Sequence, residues 1–430
     1  MIDKDGLKNT TERERDVRND TRMDTTMRWI ALTIAVALCL VWVVTIPNEP
    51  VSDQGIYNTA AERLASGAGY TDDSGNPTAY WAPGYTFYIA SFYYLFGSKV
   101  TVAFAANFIS YLFLVAGVYT LSCLAYSRRV GAMAAILTAL YPSFIFYTTI
   151  IASETLFSAM LIWVLVFGWL SFQKDRYKIL WIVACGILLG LTALVRPQAL
   201  LIPIALFAIG SAQHASIWSA SWRFITVAIL MVITCIPWGL RNQEQLGAFV
   251  LVSANSGANL WIGNHEGADG GYMHLDSAIA NNNLENASLV ERDKQLSRKA
   301  LQFIKENPGQ FARLMLQRIY ITMKSESIAA VWNEEGIKQR FGQESVILFK
   351  IAANAAYFLL LVFFLYYLFF SLKKGTYHSS DALLWTMLIL LSVPFLIFMG
   401  QDRFHLPLIP YLIIFVSKAY HTKVPHCQRP

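Results

Sequence analysis

Charge is scarce in this 430-residue chain. Asp, Glu, Lys and Arg make up 14% of it, against 55% hydrophobic and 14% aromatic residues, and the mean hydropathy is +0.43. That balance excludes a soluble globular protein. The usual handles of several chemistries are also missing. There is no Walker lysine loop, no GxSxG, no HExxH and no CxxC pair, so ATP hydrolysis, serine hydrolysis and zinc-site chemistry lack their standard motifs. Of five cysteines, Cys39, Cys123, Cys185 and Cys235 fall inside apolar runs and Cys427 in the tail, which leaves no legible disulfide framework. No solenoid-period repeat is present.

What is present is a series of apolar windows separated by short polar breaks. Ten are expected as membrane spans, near residues 27–47, 99–126, 130–147, 155–172, 179–195, 197–211, 224–240, 346–371, 381–399 and 404–420, to cross a hydrocarbon core of roughly 30 Å. The stretch Tyr85–Gly97 is too short and is read as interfacial. The implied fold is an all-α integral membrane protein of about ten transmembrane helices. Its organisation is an arm at 1–26, a membrane module at 27–240 with a first loop at 48–98, a second loop at 241–345, further spans at 346–420 and a tail at 421–430. The arm balances seven basic against seven acidic residues through Arg28 and is expected to be disordered. The first span, followed by no small-residue cleavage pattern, reads as a retained anchor.

Lys and Arg near span ends set orientation. They gather in residues 1–28, at Ser127–Arg129, at Gln173–Lys178 and at Lys373–Ser380, which marks those segments as cytoplasmic. Alternation then sends 48–98, 148–153, 196, 241–345 and 400–404 to the opposite face. The net charge of +6 follows from this bias, and no basic patch interleaved with aromatics supports nucleic-acid binding. The spans hold essentially no ionisable side chain. Lys99, Lys350, Asp381 and Lys418 sit near ends, where long stems can snorkel. Ion-coupled transport, which needs charged groups at mid-depth, is disfavoured.

The polar residues that resist a filler reading share the outer face: Asp53, Glu154, Arg196, Arg241 with Asn242, the glycine- and asparagine-rich run Ser253–Gly271 holding Asn259 and Asn264, and Arg403. Mixed acids, arginines, amides and aromatics beside lipid suit an anionic amphiphile. Each also has a plainer reading. Ser52 or Asp53 suits an N-cap for the helix that QGIYNTAAERL begins, and Glu154 suits the dipole of a first helical turn. Arg196, Arg241 and Arg403 suit headgroup anchors, and His405 a packed ring. Tyr80, Trp81, Tyr85, Tyr88, Tyr93 and Tyr94 suit either an aromatic belt or a sugar platform.

The order of the blocks adds to this. DQGIYNTAAERLASGAGY from Asp53 is followed by YWAPGYTFYIASFYYLFG, SETLF, GLTALVRPQALL, PWGLRNQEQLGAFVLVSANSGANLWIGNHEGADGGY and DRFHLPLIP. The series resembles the polytopic GT-C glycosyltransferases that use lipid-linked sugars, in particular the family 39-like bacterial branch related to protein mannosyltransferases and lipid A aminoarabinose transferases. The resemblance implies a GT-C fold, with Asp53 as the catalytic carboxylate and general base. Arg196, Arg241 and Arg403 would surround the donor phosphate, and Tyr57, Tyr85, Glu154, Asn242, Asn259 and Asn264 would contact substrate. It implies a polyprenyl phosphate-sugar donor, an extracytoplasmic acceptor (glycolipid, polymer or protein) and surrounding membrane lipid in the cell inner membrane. A divalent metal stays open as a cofactor but is not assigned, because Gln54 stands where many relatives have a second acid. A lipid-linked oligosaccharide flippase, and a polymerase or ligase using lipid-diphosphate donors, are the competing readings.

Reporter fusions at residues 53 and 403 are expected to report the same side of the membrane. Opposite sides would dissolve the shared site.

Overall fold

The structure is a computed structural model in which residues 25–27, 29–173, 176–280, 282, 284–375 and 377–422 are described. The arm through residue 24, expected to be disordered, and Cys427 lie outside the described residues. Regular structure among them is helical apart from one isolated bridge between Thr71 and Pro77.

Helix α1 (Thr25–Thr45) leads through a short turn to α2 (Asp53–Ala65), and a compact loop then precedes α3 (Gly84–Phe96). The bundle continues with α4 (Val100–Ala125), α5 (Arg128–Ala139) and α6 (Pro142–Phe146), then a 3-10 turn at Tyr147–Thr149 and α7 (Glu154–Ser171). Next come α8 (Lys178–Val195), a 3-10 stretch at Pro197–Ile204, α9 (Ala205–Ala212) and α10 (Ile217–Leu246). The second loop contains α11 (Ser256–Gly263), α12 (Leu275–Ala280), α13 (Leu289–Glu306), α14 (Pro308–Met323), α15 (Ile328–Trp332) and α16 (Glu334–Phe341). Helices α17 (Ser345–Lys374) and α18 (Asp381–Ile397), a 3-10 stretch at Asp402–Leu408 and α19 (Ile409–Thr422) complete the chain.

The chain is a multi-pass integral membrane protein, but the ten expected spans are not ten straight helices. Six described helices are long and apolar enough to cross: α1, α4, α7, α8, α10 and α17. The expected span 130–147 is α5 and α6 with their 3-10 turn, bent by 56°. Pro142 cannot donate to the preceding turn, so the helix restarts there. Segment 197–211 is split for the same reason, with Pro197 at its start and Pro203 inside the 3-10 stretch. Segment 381–399 is the 17-residue α18, about 26 Å long at 1.5 Å per residue. Segment 404–420 opens as a 3-10 stretch around Pro407 before α19. The stretch Tyr85–Gly97, read as interfacial, corresponds to the 13-residue α3.

Close helix approach in lipid depends on small residues. On α8, Gly186 and Gly190 face α10 so tightly that an added Cβ would lie 2.5 Å from Leu230 Cβ or 2.4 Å from Thr234 Cβ. At the opposite end of the bundle from α2, the snorkelling expected of Lys418 is overturned. Its ammonium turns inward to both Asp381 oxygens, at 2.8 and 2.6 Å, and to the Tyr367 hydroxyl at 2.9 Å. Asp381 also accepts from Tyr126. A buried carboxylate between α4, α17 and α19 holds the lysine more strongly than the headgroup layer would.

Replacing Gly190 with Val should force α8 and α10 apart and lower stability by about 1–3 kcal/mol. Thermal unfolding of the detergent-solubilised protein measures this, and an unchanged midpoint would contradict the packing described.

Candidate active site

Asp53 stands at a junction that the chain enters under strain. Ser52, just before it, has φ 53° and ψ −129°, a region disfavoured for any residue with a Cβ. Ser52 makes no side-chain cap bond, so it is not a capping serine. Asp53 opens α2 instead of capping it, and its carboxylate leaves the helix. Oδ2 accepts from Arg403 Nη1 at 2.7 Å across 350 residues of sequence. Both side chains are about one-seventh exposed, at 16% and 14%, so the pair is only thinly screened by solvent. Oδ1 of Asp53 has no protein partner among the described residues.

A second ion pair adjoins the first. Glu154, at the first turn of α7, is fully buried. Its Oε1 lies 2.5 Å from Arg196 Nη2 and 3.9 Å from Arg403 Nη1, without the alignment of a hydrogen bond, and Oε2 has no partner. Arg196 donates its Nε to Ser153 Oγ at 2.8 Å. One turn beyond Asp53 on α2, the buried hydroxyl of Tyr57 faces Ser153, Arg196 and Glu154. Burial pushes the Tyr57 phenol up to about 12 against the pull of Arg196, so it stays a neutral donor.

Three local features place these groups. Residues 149–151 are tied down by Trp42 Nε1 to Thr149 Oγ1 at 2.7 Å, Asn107 Nδ2 to Ile150 O at 2.7 Å and Ile151 N to Gln54 Oε1 at 3.2 Å. At Gly84 a Cβ would come within 2.7 Å of the Leu194 carbonyl carbon, so only glycine lets α3 meet the end of α8 beside Arg196. Arg403 is steadied by its Nε bond to Gln401 Oε1 at 2.8 Å and by the Trp332 face 5.2 Å from its Cζ. Burial opposes its charge, but the carboxylates of Glu154 and Asp53 outweigh that and raise its pKa above the arginine norm.

The other expected site residues have different work. Tyr85 is buried, donates to Asn107 Oδ1 at 2.9 Å and packs edge-on against Tyr57 at 5.0 Å. Arg241 is outside the ion-pair cluster. It donates to Tyr70 O and Thr78 O, both at 2.7 Å, and so clamps the two arms of the loop leading to Tyr80 and Trp81. Asn242 donates to Val250 O at 2.8 Å and accepts from Arg241. Asn264 joins Leu260 O to Ile397 O at 2.8 and 2.9 Å, and half-buried Asn259 is on α11.

Sequence reading missed Arg318, in the middle of α14. Fully buried, it donates to Leu396 O, Ile397 O, Gly263 O and Asn264 Oδ1 at 2.6–3.0 Å. It thereby fixes the turn that leads from α18 to Arg403. His405, expected to be a packed ring, is buried between Thr322 O, at 2.6 Å from its Nδ1, and the Glu326 carboxylate. Among the described residues no three His, Cys, Asp or Glu side chains gather to hold a metal ion. Asp53 and Glu154 face guanidinium groups, and Gln54 spends its carbonyl on Ile151.

Residues 80–240 match the family described as dolichyl-phosphate-mannose-protein mannosyltransferase. The matched segment is less than half of the chain. It carries Glu154 and Arg196, while Asp53 and Arg403 lie on either side of it. No curated relative matches by sequence. Among solved structures, ArnT from Cupriavidus metallidurans bound to undecaprenyl phosphate aligns at 13% identity and a TM-score of 0.55 over 91% of this chain and 60% of that one. The apo oligosaccharyltransferase of Archaeoglobus fulgidus aligns at 14% and 0.57 over 93% and 50%. The same enzyme, AglB, with an inhibitory peptide and a dolichol-phosphate aligns at 14% and 0.53 over 94% and 50%. The GT-C fold is therefore shared over nearly the whole chain, which spans about 60% of ArnT and half of the oligosaccharyltransferase.

The two arginine environments predict different phenotypes. Arg241→Ala should speed hydrogen exchange across residues 66–82 and leave residues 150–154 protected. Arg403→Gln, which strands Asp53 without a cation, should cost about 1–3 kcal/mol and loosen the turn around residue 401 instead. Identical exchange patterns would refute the separation.

Proposed function

We propose that the protein is an inverting membrane glycosyltransferase that moves a sugar from a polyprenyl phosphate carrier to a hydroxyl-bearing extracytoplasmic acceptor, a glycolipid, polymer or protein. The observation that carries this reading is the Asp53–Arg403 pair beside Glu154–Arg196. It is a carboxylate with one free oxygen next to two guanidinium groups, in a chain whose apolar spans keep it in lipid.

The chemistry follows from those atoms. Asp53 Oδ1 takes the proton of the acceptor hydroxyl as its oxygen attacks the anomeric carbon, and the bond from that carbon to the phosphate oxygen breaks with inversion. The phosphate departs with added negative charge. Arg403 uses Nε on Gln401 and Nη1 on Asp53, and Arg196 uses Nε on Ser153 and Nη2 on Glu154. Each keeps one terminal nitrogen, Nη2 and Nη1 respectively, for phosphate oxygens, to which arginine donates strong charge-assisted bonds. Asp53 and Glu154 balance both guanidinium groups, so a phosphate enters a cluster that is neutral beforehand and not a bare cationic trap.

The undecaprenyl phosphate in ArnT and the dolichol-phosphate in AglB support a polyprenyl phosphate as the ligand class. The lysine and arginine asymmetry supports an orientation with this end of the bundle outward, and the membrane proposed is the cell inner membrane. Arg241, placed as a loop clamp, acts on the donor only by holding Tyr80 and Trp81.

Asp53→Asn should remain folded and membrane-inserted while transfer falls about 10²–10⁴-fold, measured with a radiolabelled polyprenyl phosphate sugar and membrane acceptors. Full turnover in that variant would remove Asp53 from the mechanism.

A further inference from the structure

Several buried polar atoms around the ion pairs have no partner among the described residues: Gln54 Nε2, the Tyr147 hydroxyl, Glu154 Oε2 and Thr155 Oγ1. Buried polar atoms are almost always paired, and an unpaired one weakens the fold. Gln54 adjoins Asp53 and Thr155 adjoins Glu154 in sequence, so unused hydrogen-bonding capacity accompanies the ion pairs and is available to a ligand.

Tyr147 is the informative member. It lies in the 3-10 turn of Tyr147–Thr149 and is 1% exposed. Its ring packs edge-on against Trp332 with centroids 6.3 Å apart, and the Arg403 guanidinium lies 5.2 Å from the same Trp332 ring. Its hydroxyl is within electrostatic reach of Glu154 and Arg403, and also of Glu326 and Asp402. The Tyr147 ring and the Arg403 guanidinium therefore share the Trp332 ring as a common neighbour, which puts the unpartnered phenol beside the ion-pair residues. The surroundings state what would satisfy it. Arg403 Nη2 and Arg196 Nη1 are free donors, and Glu154 Oε2 is a free acceptor.

A ligand that meets donors at its anionic group and an acceptor at a neighbouring hydroxyl fits this arrangement, and a sugar phosphate has both. Resting on the glycosyl-transfer reading above, we infer that Tyr147 is a further binding residue for the donor, donating its hydroxyl hydrogen to a phosphate oxygen that Arg403 also holds. Glu154 Oε2 then receives a hydroxyl of the attached sugar. Tyr147 moves no proton in the reaction; its contribution is affinity and placement.

This assignment makes an unusual combined prediction. Tyr147→Phe removes only an unpaired buried oxygen, so the ligand-free protein should melt at the same temperature as the parent or higher. Its affinity for undecaprenyl phosphate in detergent micelles should nevertheless fall at least about tenfold, the usual scale for a lost hydrogen bond to a charged group. Tyr411→Phe removes another unpaired buried hydroxyl, on α19 and outside the cluster, and should share the thermal effect without the loss of affinity. Should Tyr147→Phe not accumulate in folded form, Tyr147→Met removes the same hydroxyl and is read in its place. Wild-type affinity in the hydroxyl-free variant, with the unaltered protein still preferring undecaprenyl phosphate to undecaprenol, overturns the role of Tyr147 alone. Absence of that preference in the unaltered protein overturns the transferase reading, and this inference with it.

Discussion

A guanidinium shared between two carboxylates holds the candidate site together. Arg403 meets Asp53 at 2.7 Å and approaches Glu154 at 3.9 Å, while Arg196 takes the other side of Glu154. Such groups leave water only when their charges are matched. The consequence reaches well beyond the four side chains. The pairing draws the start of α2, the start of α7, the end of α8 and the turn before α19 to one point, and the rest of that end of the bundle is arranged to keep them there.

The supports share one physical character. Buried polar side chains serve exposed backbone at places where helices stop. Arg318 satisfies the carbonyls at the end of α18 and α11, Arg241 those of the loop after α2, and Asn107 and Gln54 the strand-like stretch before α7. Helix ends leave carbonyls and amides unpaired, and in lipid or protein interior those groups must find a partner. One strained backbone residue lies in the same place. The positive φ of Ser52 immediately precedes Asp53, and the surrounding contacts fix a carboxylate orientation that the backbone alone would not prefer.

The same interactions explain why the site is polar without being strongly charged. Two acids and two arginines cancel, yet each arginine retains an unused arm and each acid an unused oxygen. An anion with hydroxyl groups can join such a cluster without the cost of separating like charges. The fully saturated Lys418–Asp381 pair at the other end of the bundle provides a contrast: every donor and acceptor there is occupied, which suits a structural staple joining α17, α18 and α19.

Much of the fold could be read from composition and periodicity, because apolar length reports directly on crossing a bilayer. Pro142, Pro197 and Pro407 sit in plain view, yet whether a proline bends a span or divides it depends on what neighbours supply, so the count of straight helices was not legible. For the site, the sequence by itself determined which residues were candidates and that Asp53, Glu154, Arg196 and Arg403 belong to one end of the bundle, since span alternation fixes sidedness. Only the tertiary structure decided that Arg403 meets Asp53 while Arg241 meets carbonyls, that Asn242, Asn264 and Arg318 tie backbone, and that the Tyr147 hydroxyl is buried without a partner. The reason is that a guanidinium pairs with whichever acceptor the fold brings within 3 Å, and nothing local distinguishes a carboxylate 350 residues away from a nearby peptide oxygen.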